Sequence, residues 1–519
     1  MTIRRWRTET DVVVVGAGPT GLMVASELAL AGVAVEVIER QAAPSGQSRG
    51  GGVNPRTSEV LAMRGLLDAV TERAIPREKP AGWHFAGLPV RLDARPWRTR
   101  CPDGVLIPQD QLEEVLEAHL GVTVARGTEL TGVTSDDAGV EVAVSSPGGT
   151  GMLRCRYLVA CDGAHSTVRK LTGVAFPGQP GTLAAVSADV ELAAVSSTVP
   201  RSVTHISTLT HTGGGYWMLL HPLEKPGGLT GLYRVVFGGP EQRTLPREAP
   251  VTAAEVARAL TAVHGPETEL GTLRWGSRFS DATRQVTDYR CGRILFAGDA
   301  AHIHSPVGGQ GLNLGVQDAM NLGWKLAAHV QGRAPAGLLD SYHTERHPVA
   351  ARVLATTRAQ SVLMSPPPDA DDVRALREIV IGLARLPDAN RYLTGLMCGL
   401  DLRYDLGDPD PLVGARMIDL SLETDDGPTT VSALLRSGRG LLLELGEPAL
   451  CPIPAHEGVD RIVARVIDSP VGTALGASEG VDRVLIRPDG HVCWAGAGPS
   501  SSPEPVLRRW FGATPVMPL

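Results

Sequence analysis

The chain has 519 residues, with 49 Lys and Arg against 56 Asp and Glu for a formal net charge of −7, and 43% of it is hydrophobic. That length suits two to four domains of ~100–200 residues with sizeable cores, and the absence of a basic excess excludes nucleic acid as an expected partner. Seven scattered cysteines, odd in number and without a C-x-x-C, argue against a disulfide framework or structural zinc and fit free thiols in a reducing cytoplasm.

The opening "MTIRRWRTET" is basic and then polar, and the apolar stretch after it is broken by glycines and by Glu27, Glu36 and Glu39. Neither a signal peptide nor a membrane span is expected, so the expectation is a cytoplasmic protein with no membrane partner. Residues 11–40 read as strand, turn, helix, strand: "DVVVV" is a β-branched run suited to a strand buried on both faces, "GLMVASELALAG" has helical apolar spacing up to Gly32, and "VAVEVIER" follows as a strand. Residues 56–73 read as one helix and 109–120 as another, with strands at "GVEVAVSS" and "RCRYLVACDG". Between 176 and 280, short alternating runs separated by Gly and Pro predict an antiparallel sheet. "GRILFAGD" is a strand again, and a long helix is expected after it. "SPPPDADD", near 365–372, reads as a surface loop. The tail from about 400 alternates strands and helices, including "RGLLLELG" and "DRVLIRPDGHVCWAG" with its "PDG" turn.

The first motif is Gly16-Ala17-Gly18-Pro19-Thr20-Gly21, a G-x-G-x-x-G between a buried strand and a helix, with Ala25 for close packing and Glu39 about 20 residues on. Glycines there allow a tight turn and close approach of a pyrophosphate, while free N–H groups at the helix start favour anions. Glu39 suits ribose hydroxyls and would repel a 2′-phosphate. "GAGPSSS" at 496–502 lacks the third glycine, runs into Ser and Pro instead of a helix, and has no suitably placed acid. One dinucleotide cradle is therefore expected. A third stretch, "GDAAHIHSPVGGQGLN", begins with Asp299, His302 and His304, the residue types of a metal site, but no further His, Asp or Glu cluster completes one, so no metal is expected.

"CDGAHSTVRK" supplies Asp162, Gly163, Ser166 and Arg169 in a D-G-x-x-S-x-x-R pattern, and "FAGDAAH" supplies Gly298 and Asp299 after a strand. With the first motif, in this order, they resemble the FAD-dependent aromatic hydroxylases, the para-hydroxybenzoate hydroxylase-like, single-component flavoprotein monooxygenases. "SRGGGVNPRTSEVLAMRGLLD", "GGQGLNLGVQDAMNLGWKLA" and "RPDGHVCWAG" resemble the subgroup that oxygenates aromatic polyketides and carries an extra C-terminal domain.

The resemblance implies an α/β fold: a Rossmann-type FAD-binding domain, an inserted antiparallel-sheet substrate domain and a C-terminal thioredoxin-like α/β domain. Its implied segments are FAD-binding at 1–80, 101–175 and 281–400 (the last with linking helices), substrate-binding at 81–100 and 176–280, and thioredoxin-like at 401–519. Gly16, Gly18, Pro19, Thr20, Gly21 and Glu39 would hold the ADP part of FAD with Arg40 beside the adenine. Arg49 would reach the flavin or phosphates, Gln109 the ribityl region, and Asp299 beside Gly298 the ribityl chain or pyrophosphate. Gly311, Leu312 and Asn313 would meet the flavin pyrimidine at a helix start, which also suits an anionic reduced ring. Pro306 would line the reactive flavin face, with His302 and His304 as loop residues flanking the flavin. Asp162, Gly163 and Arg169 would serve both FAD and NADPH (or NADH), which accounts for the missing second cradle.

The implied activity is hydroxylation of an aromatic polyketide-like substrate with O2 through a flavin C4a-hydroperoxide, in antibiotic or secondary-metabolite biosynthesis. A Baeyer–Villiger or epoxidising outcome, or antibiotic inactivation, fits the same scaffold. Trp83, Trp97, Tyr216, Trp217 and His221 are candidate substrate contacts, and no general base is assigned. A halogenase is disfavoured because the chain has no W-x-W and its four lysines lie elsewhere. The tail, lacking C-x-x-C, is expected to be structural or dimerising, and the expected assembly is a monomer or homodimer.

Overall fold

The computed structural model describes residues 9–44, 46, 50–75, 81–223, 231–364, 371–445, 456–467, 481–498 and 501–513. The chain starts as β1 (Glu9–Val15), α1 (Pro19–Leu30) and β2 (Val35–Glu39). The four valines that end β1 are buried because both its neighbours, β2 and a later strand at Gly149–Ala160, run parallel to it and both sheet faces are covered. The expected helix over 56–73 is two: α2 (Pro55–Ala62) and α3 (Leu67–Glu72). Gly65 adopts φ +71° and the Gly65 and Leu66 amides turn back onto Ala62 and Leu61, a left-handed stop that apolar spacing does not reveal.

After α4 (Gln109–His119) come β3 (Val124–Arg126), β4 (Glu129–Ser135), β5 (Val140–Ser146) and β6 (Gly149–Ala160). These form an eight-stranded sheet in which β6, β1, β2 and β3 lie side by side in that order, β5 and β4 continue from the first half of β6, and two later strands, Ile294–Phe296 and Arg290–Cys291, extend it beyond β6. α5 (Thr167–Thr172) and β7 (Gly178–Gln179) lead to β8 (Ala184–Ala194), α6 (Ile206–Leu209), β9 (Thr210–Gly213), β10 (Tyr216–Pro222), β11 (Leu232–Gly238), α7 (Ala253–His264) and β12 (Glu269–Ser280). As expected from the alternation, β8–β12 make a five-stranded antiparallel sheet, ordered β12-β8-β11-β10-β9. The chain returns through β13 (Thr283–Gln285), β14 (Arg290–Cys291), β15 (Ile294–Phe296) and β16 (His302–Ile303), and β7, β13 and β16 form a small ribbon at the foot of that sheet.

Helix α8 (Gln310–Val330) then crosses the core, followed by α9 (Ser341–Met364), α10 (Asp371–Ala384) and α11 (Pro387–Cys398). Of the surface loop expected near 365–372, residues 365–370 lie outside the described residues, and Asp371 and Asp372 open α10. Residues 86–94 pack on these helices: Leu88 joins Leu363 and Ile381, and Leu92 joins Met397 and Cys398. The tail carries β17 (Ser421–Thr424), β18 (Gly427–Thr430), β19 (Gly440–Leu445), β20 (Val459–Val466), β21 (Arg483–Ile486) and β22 (Val492–Gly496), ordered β18-β17-β20-β19-β21-β22 around a parallel β19–β20 pair. This is a thioredoxin-like sheet whose Leu441, Leu443 and Val484 share one continuous core with Leu22 and Val60. Among the described residues no helix is long and apolar enough to cross a membrane.

Candidate active site

Three loops meet at the C-terminal ends of β1, β6 and β15. In the first, Gly16 has φ +102° and a Cβ there would run into the Cys161 carbonyl; a Cβ on Gly21 would strike the Gly16 carbonyl. Gly18, by contrast, faces open space, with nothing within 4 Å of a Cβ position. Pro19 occupies the first turn of α1 and no side chain caps its free N–H groups. Thr20 sits where α1 meets the third loop: a Cβ on Gly298 would come 2.6 Å from its Oγ1. Glu39 stiffens the cradle itself, accepting from the Ala17 amide at 2.9 Å and the Gln41 amide at 2.8 Å. Arg40 is exposed beyond it.

In the second loop Asp162 Oδ2 caps α5, accepting from Thr167 N at 2.7 Å and Val168 N at 3.1 Å, while its Oδ1 is buried with no partner. Gly163 takes φ +78°. Arg169 is a strap: it donates to the carbonyls of Ala300 (2.9 Å) and Ala164 (2.8 Å) and stacks 3.9 Å from the Phe176 ring centre, tying the second loop to the third.

The third loop begins with a turn over Gly298–Ala300. Asp299 is exposed there, and no described residue bonds it. His302 is not the flanking loop residue the sequence suggests: it lies in β16, fully buried, with Nε2 2.6 Å from Asp318 Oδ2. Asp318, on α8, also receives Gly298 N at 3.2 Å and Arg346 Nε at 2.7 Å. Burial alone would raise its pKa, but Arg346 and His302 hold it below the usual carboxylate range. With Asp299 exposed and His302 committed to Asp318, the pair is not a ligand set, and no group of three metal-ligating side chains occurs among the described residues.

His304 donates through Nδ1 to the Ser305 carbonyl at 2.7 Å, leaving Nε2 buried and unpartnered, about as close as 3.5 Å to where a Cβ on Gly311 would stand. Pro306 is exposed ahead of Gly308 and Gly309, both with positive φ (+77° and +61°), after which α8 starts with no capping side chain and no acid in its first turn. Asn313 fixes this end: its amide donates to Gly309 O at 2.9 Å and Gly52 O at 3.2 Å, and its oxygen accepts from Asn54 N at 2.8 Å. Leu312 packs on Gly50, whose N–H donates to Gln109 Oε1 at 3.0 Å. Arg49 lies outside the described residues.

The candidate substrate contacts are dispersed. Trp83 donates to Pro102 O (2.8 Å), and Trp97 donates to Arg391 O (2.9 Å) beneath the Arg391 guanidinium, so both pack the 83–102 segment. Tyr216 sits on the α7 side of β10, whereas Trp217 and His221 share the opposite face. Asp318 and Arg346 were missed by motif reasoning because their partners lie 16 to 28 residues away in sequence. So was the hub behind them, where Arg487 binds Glu345 at 2.7 and 2.8 Å and Lys325 reaches the same carboxylate at 2.8 Å.

A family model described as FAD binding domain matches residues 9–357, and one described as aromatic-ring hydroxylase, C-terminal, matches 410–514. The chain is 43% identical over 515 residues to a 12-dehydrotetracycline 5-monooxygenase/anhydrotetracycline 6-monooxygenase of Streptomyces rimosus, covering 97% of this chain and 99% of the relative. It is 41% identical to a rifampicin monooxygenase of Streptomyces venezuelae, with the same coverage. The solved anhydrotetracycline hydroxylase of Streptomyces rimosus superimposes with a TM-score of 0.85 at 42% identity, covering 98% of this chain and all of that one. With family models matched over most of the chain and relatives matched along nearly their whole length, the chain belongs to the FAD-dependent aromatic-ring hydroxylases and is a flavoprotein monooxygenase.

Proposed function

We propose that the protein hydroxylates a polycyclic, phenolic polyketide-like molecule, using NAD(P)H and O2, in the cytoplasm of a producer of such compounds. The observation that carries this reading is the convergence of three loops with open space at Gly18, a buried Asp162 Oδ1 without a partner, an exposed Asp299 carboxylate that no described residue bonds and an uncapped α8. These suit FAD. The N–H groups at α1 and Gly18 would take the pyrophosphate, Glu39 the ribose, and Asp299 and Gln109 the ribityl chain, while the α8 start would stabilise negative charge on the ring. Bound there, FAD supplies electrons from the nicotinamide and an activated oxygen. The protein's part is to orient the substrate and exclude water, with Pro306 against the ring. In this reading the five-stranded sheet is the substrate domain, and the C-terminal domain is structural.

Similarity to a rifampicin monooxygenase favours a second role for the same chemistry, inactivation of a foreign aromatic antibiotic. The test is direct. Purified protein should be yellow with one FAD per chain, and anhydrotetracycline or a related polycyclic phenol should stimulate NAD(P)H oxidation with a product heavier by one oxygen. NMR of that product separates ring hydroxylation from a lactone. Colourless protein that takes up no FAD, or oxidation that no polycyclic phenol stimulates, defeats the proposal.

A further inference from the structure

The five-stranded sheet has two unlike faces. Helix α7 seals one, over Val186, Val190, Met218, Leu220, Val235 and Phe237. Strand alternation puts a different set on the other. There, register lines up a continuous row across four strands: His221 stands opposite Arg234, Arg234 opposite Asp189, and Asp189 opposite Trp275. Arg234 grips both oxygens of Asp189, with Nη2 to Oδ2 at 3.0 Å and Nε to Oδ1, and its guanidinium lies 5.8 Å from the Trp275 ring centre. The charge is thus paired and held in place. The adjoining row, Leu219, Val236 and Ser187, is apolar or small.

His221's tautomer follows from its neighbour. Nδ1 lies 3.1 Å from the Pro222 carbonyl, which can only accept, so Nδ1 carries the proton and Nε2 is a bare acceptor. No described residue donates to Nε2, and the side chain is only half-buried, so the atom is not sealed off. Burial pushes the imidazole pKa down to about 4; Arg234 adds to this, against the Pro222 carbonyl and Asp189. It stays neutral at neutral pH and is too weak a base to take a phenol's proton.

The sheet also stands in the right place. β8 rises from, and β12 descends to, the ribbon in which Arg284 pairs with Ile303 and Gln285 with His302, immediately before the loop that leads to Pro306 and the α8 start. With the open face as the substrate side of the substrate domain proposed above, we infer that His221 is a specificity residue, its Nε2 accepting a hydrogen bond from a phenolic hydroxyl of a polycyclic ligand lying over Leu219 and Val236. The Arg234–Asp189 pair and Trp275 close the far edge. This rests on the proposed function above. A neutral acceptor bonds a hydroxyl but offers nothing to a methyl ether, and a site built around such a bond discriminates strongly.

The holoenzyme is titrated with anhydrotetracycline and with its phenol O-methyl derivative, following the flavin difference spectrum. Wild type should favour the phenol by about tenfold or more. His221→Phe should bring that ratio close to one by weakening the phenol alone, with FAD content and melting temperature unchanged. His221→Gln, which retains an acceptor, should keep much of the preference. An unchanged ratio in His221→Phe overturns the inference, even in an enzyme that still turns over. Wild type that binds both compounds equally also overturns it, without need of any variant, and leaves the proposed function standing; wild type that binds neither these nor any other polycyclic phenol removes both.

Discussion

The cofactor cleft and the hub beneath it are built from the same residue types, and they differ in how fully those residues are satisfied. In the hub, Glu345, Lys325, Arg487, Asp489 and Asn321 are knitted together, Arg56 and Arg64 donate to the carbonyls of Asp489 and Pro488, and Arg346 links Asp318 to the Tyr404 hydroxyl. In the cleft, Asp162 Oδ1 and His304 Nε2 have no partner, Asp299 has none among the described residues, and two helix starts are uncapped. Buried polar groups are normally paired, so the unpaired ones gathered at these loops suit a site that a ligand completes, and the saturated ones in the hub hold the protein together; unpaired atoms scattered elsewhere, such as Gln242 Oε1 and His264 Nε2, belong to neither set.

The comparison can be broken by substitutions on each side, the largest effect first. In the hub, Glu345→Gln strips the carboxylate that Arg487 and Lys325 share. Loss of one member of a buried ion pair costs about 3–5 kcal/mol, so the melting temperature should drop sharply while protein kept cold still binds FAD. Burial would raise the Glu345 pKa, but Arg487 and Lys325 hold it at about 2, below its ordinary 4.5. Its contribution is therefore fully present above about pH 4.5 and lost as pH falls towards 2, and denaturant midpoints of wild type should fall over that window more steeply than those of Glu345→Gln.

In the cradle, Gly16→Ala adds a Cβ against the Cys161 carbonyl at φ +102°, and strain of about 1–3 kcal/mol from the backbone conformation alone should appear as lost FAD, read by absorbance per chain. Asp299→Ala should weaken FAD by about 1.5–3 kcal/mol, tenfold or more, and leave the apo-protein melting temperature nearly unchanged, because the side chain is exposed and no described residue bonds it. His302→Ala should do the reverse, lowering stability by uncovering Asp318, with metal content at zero in both. At the smallest end, Arg508→Ala breaks an exposed pair with Glu504, and denaturation should move by less than about 0.5 kcal/mol.

The cradle was legible in the sequence because its physics is local. Gly16, Gly18 and Gly21 sit within one turn, and Glu39 ends the next strand. The same locality misled elsewhere. Apolar spacing over 56–73 runs past Gly65 without showing the left-handed turn there, and Asp299, His302 and His304 look like a cluster only until His302 is found facing the other way. Arg169 was recognised as a motif residue, yet its role as a strap depends on the Ala300 carbonyl 131 residues later. The row His221, Arg234, Asp189 and Trp275 has no spacing to notice, since it exists only once four strands are in register.

The sequence by itself determined the family, the fold class and the tight glycine turn between β1 and α1, because tight turns, buried strands and helix starts depend on neighbours a few residues apart. Only the tertiary structure decided which polar side chains are free for a ligand and which are already bound, because that depends on partners brought together from distant parts of the chain. It alone brought Asp318 and Arg346 under the Gly298–Ala300 turn, and placed His221 on the face of the sheet opposite α7.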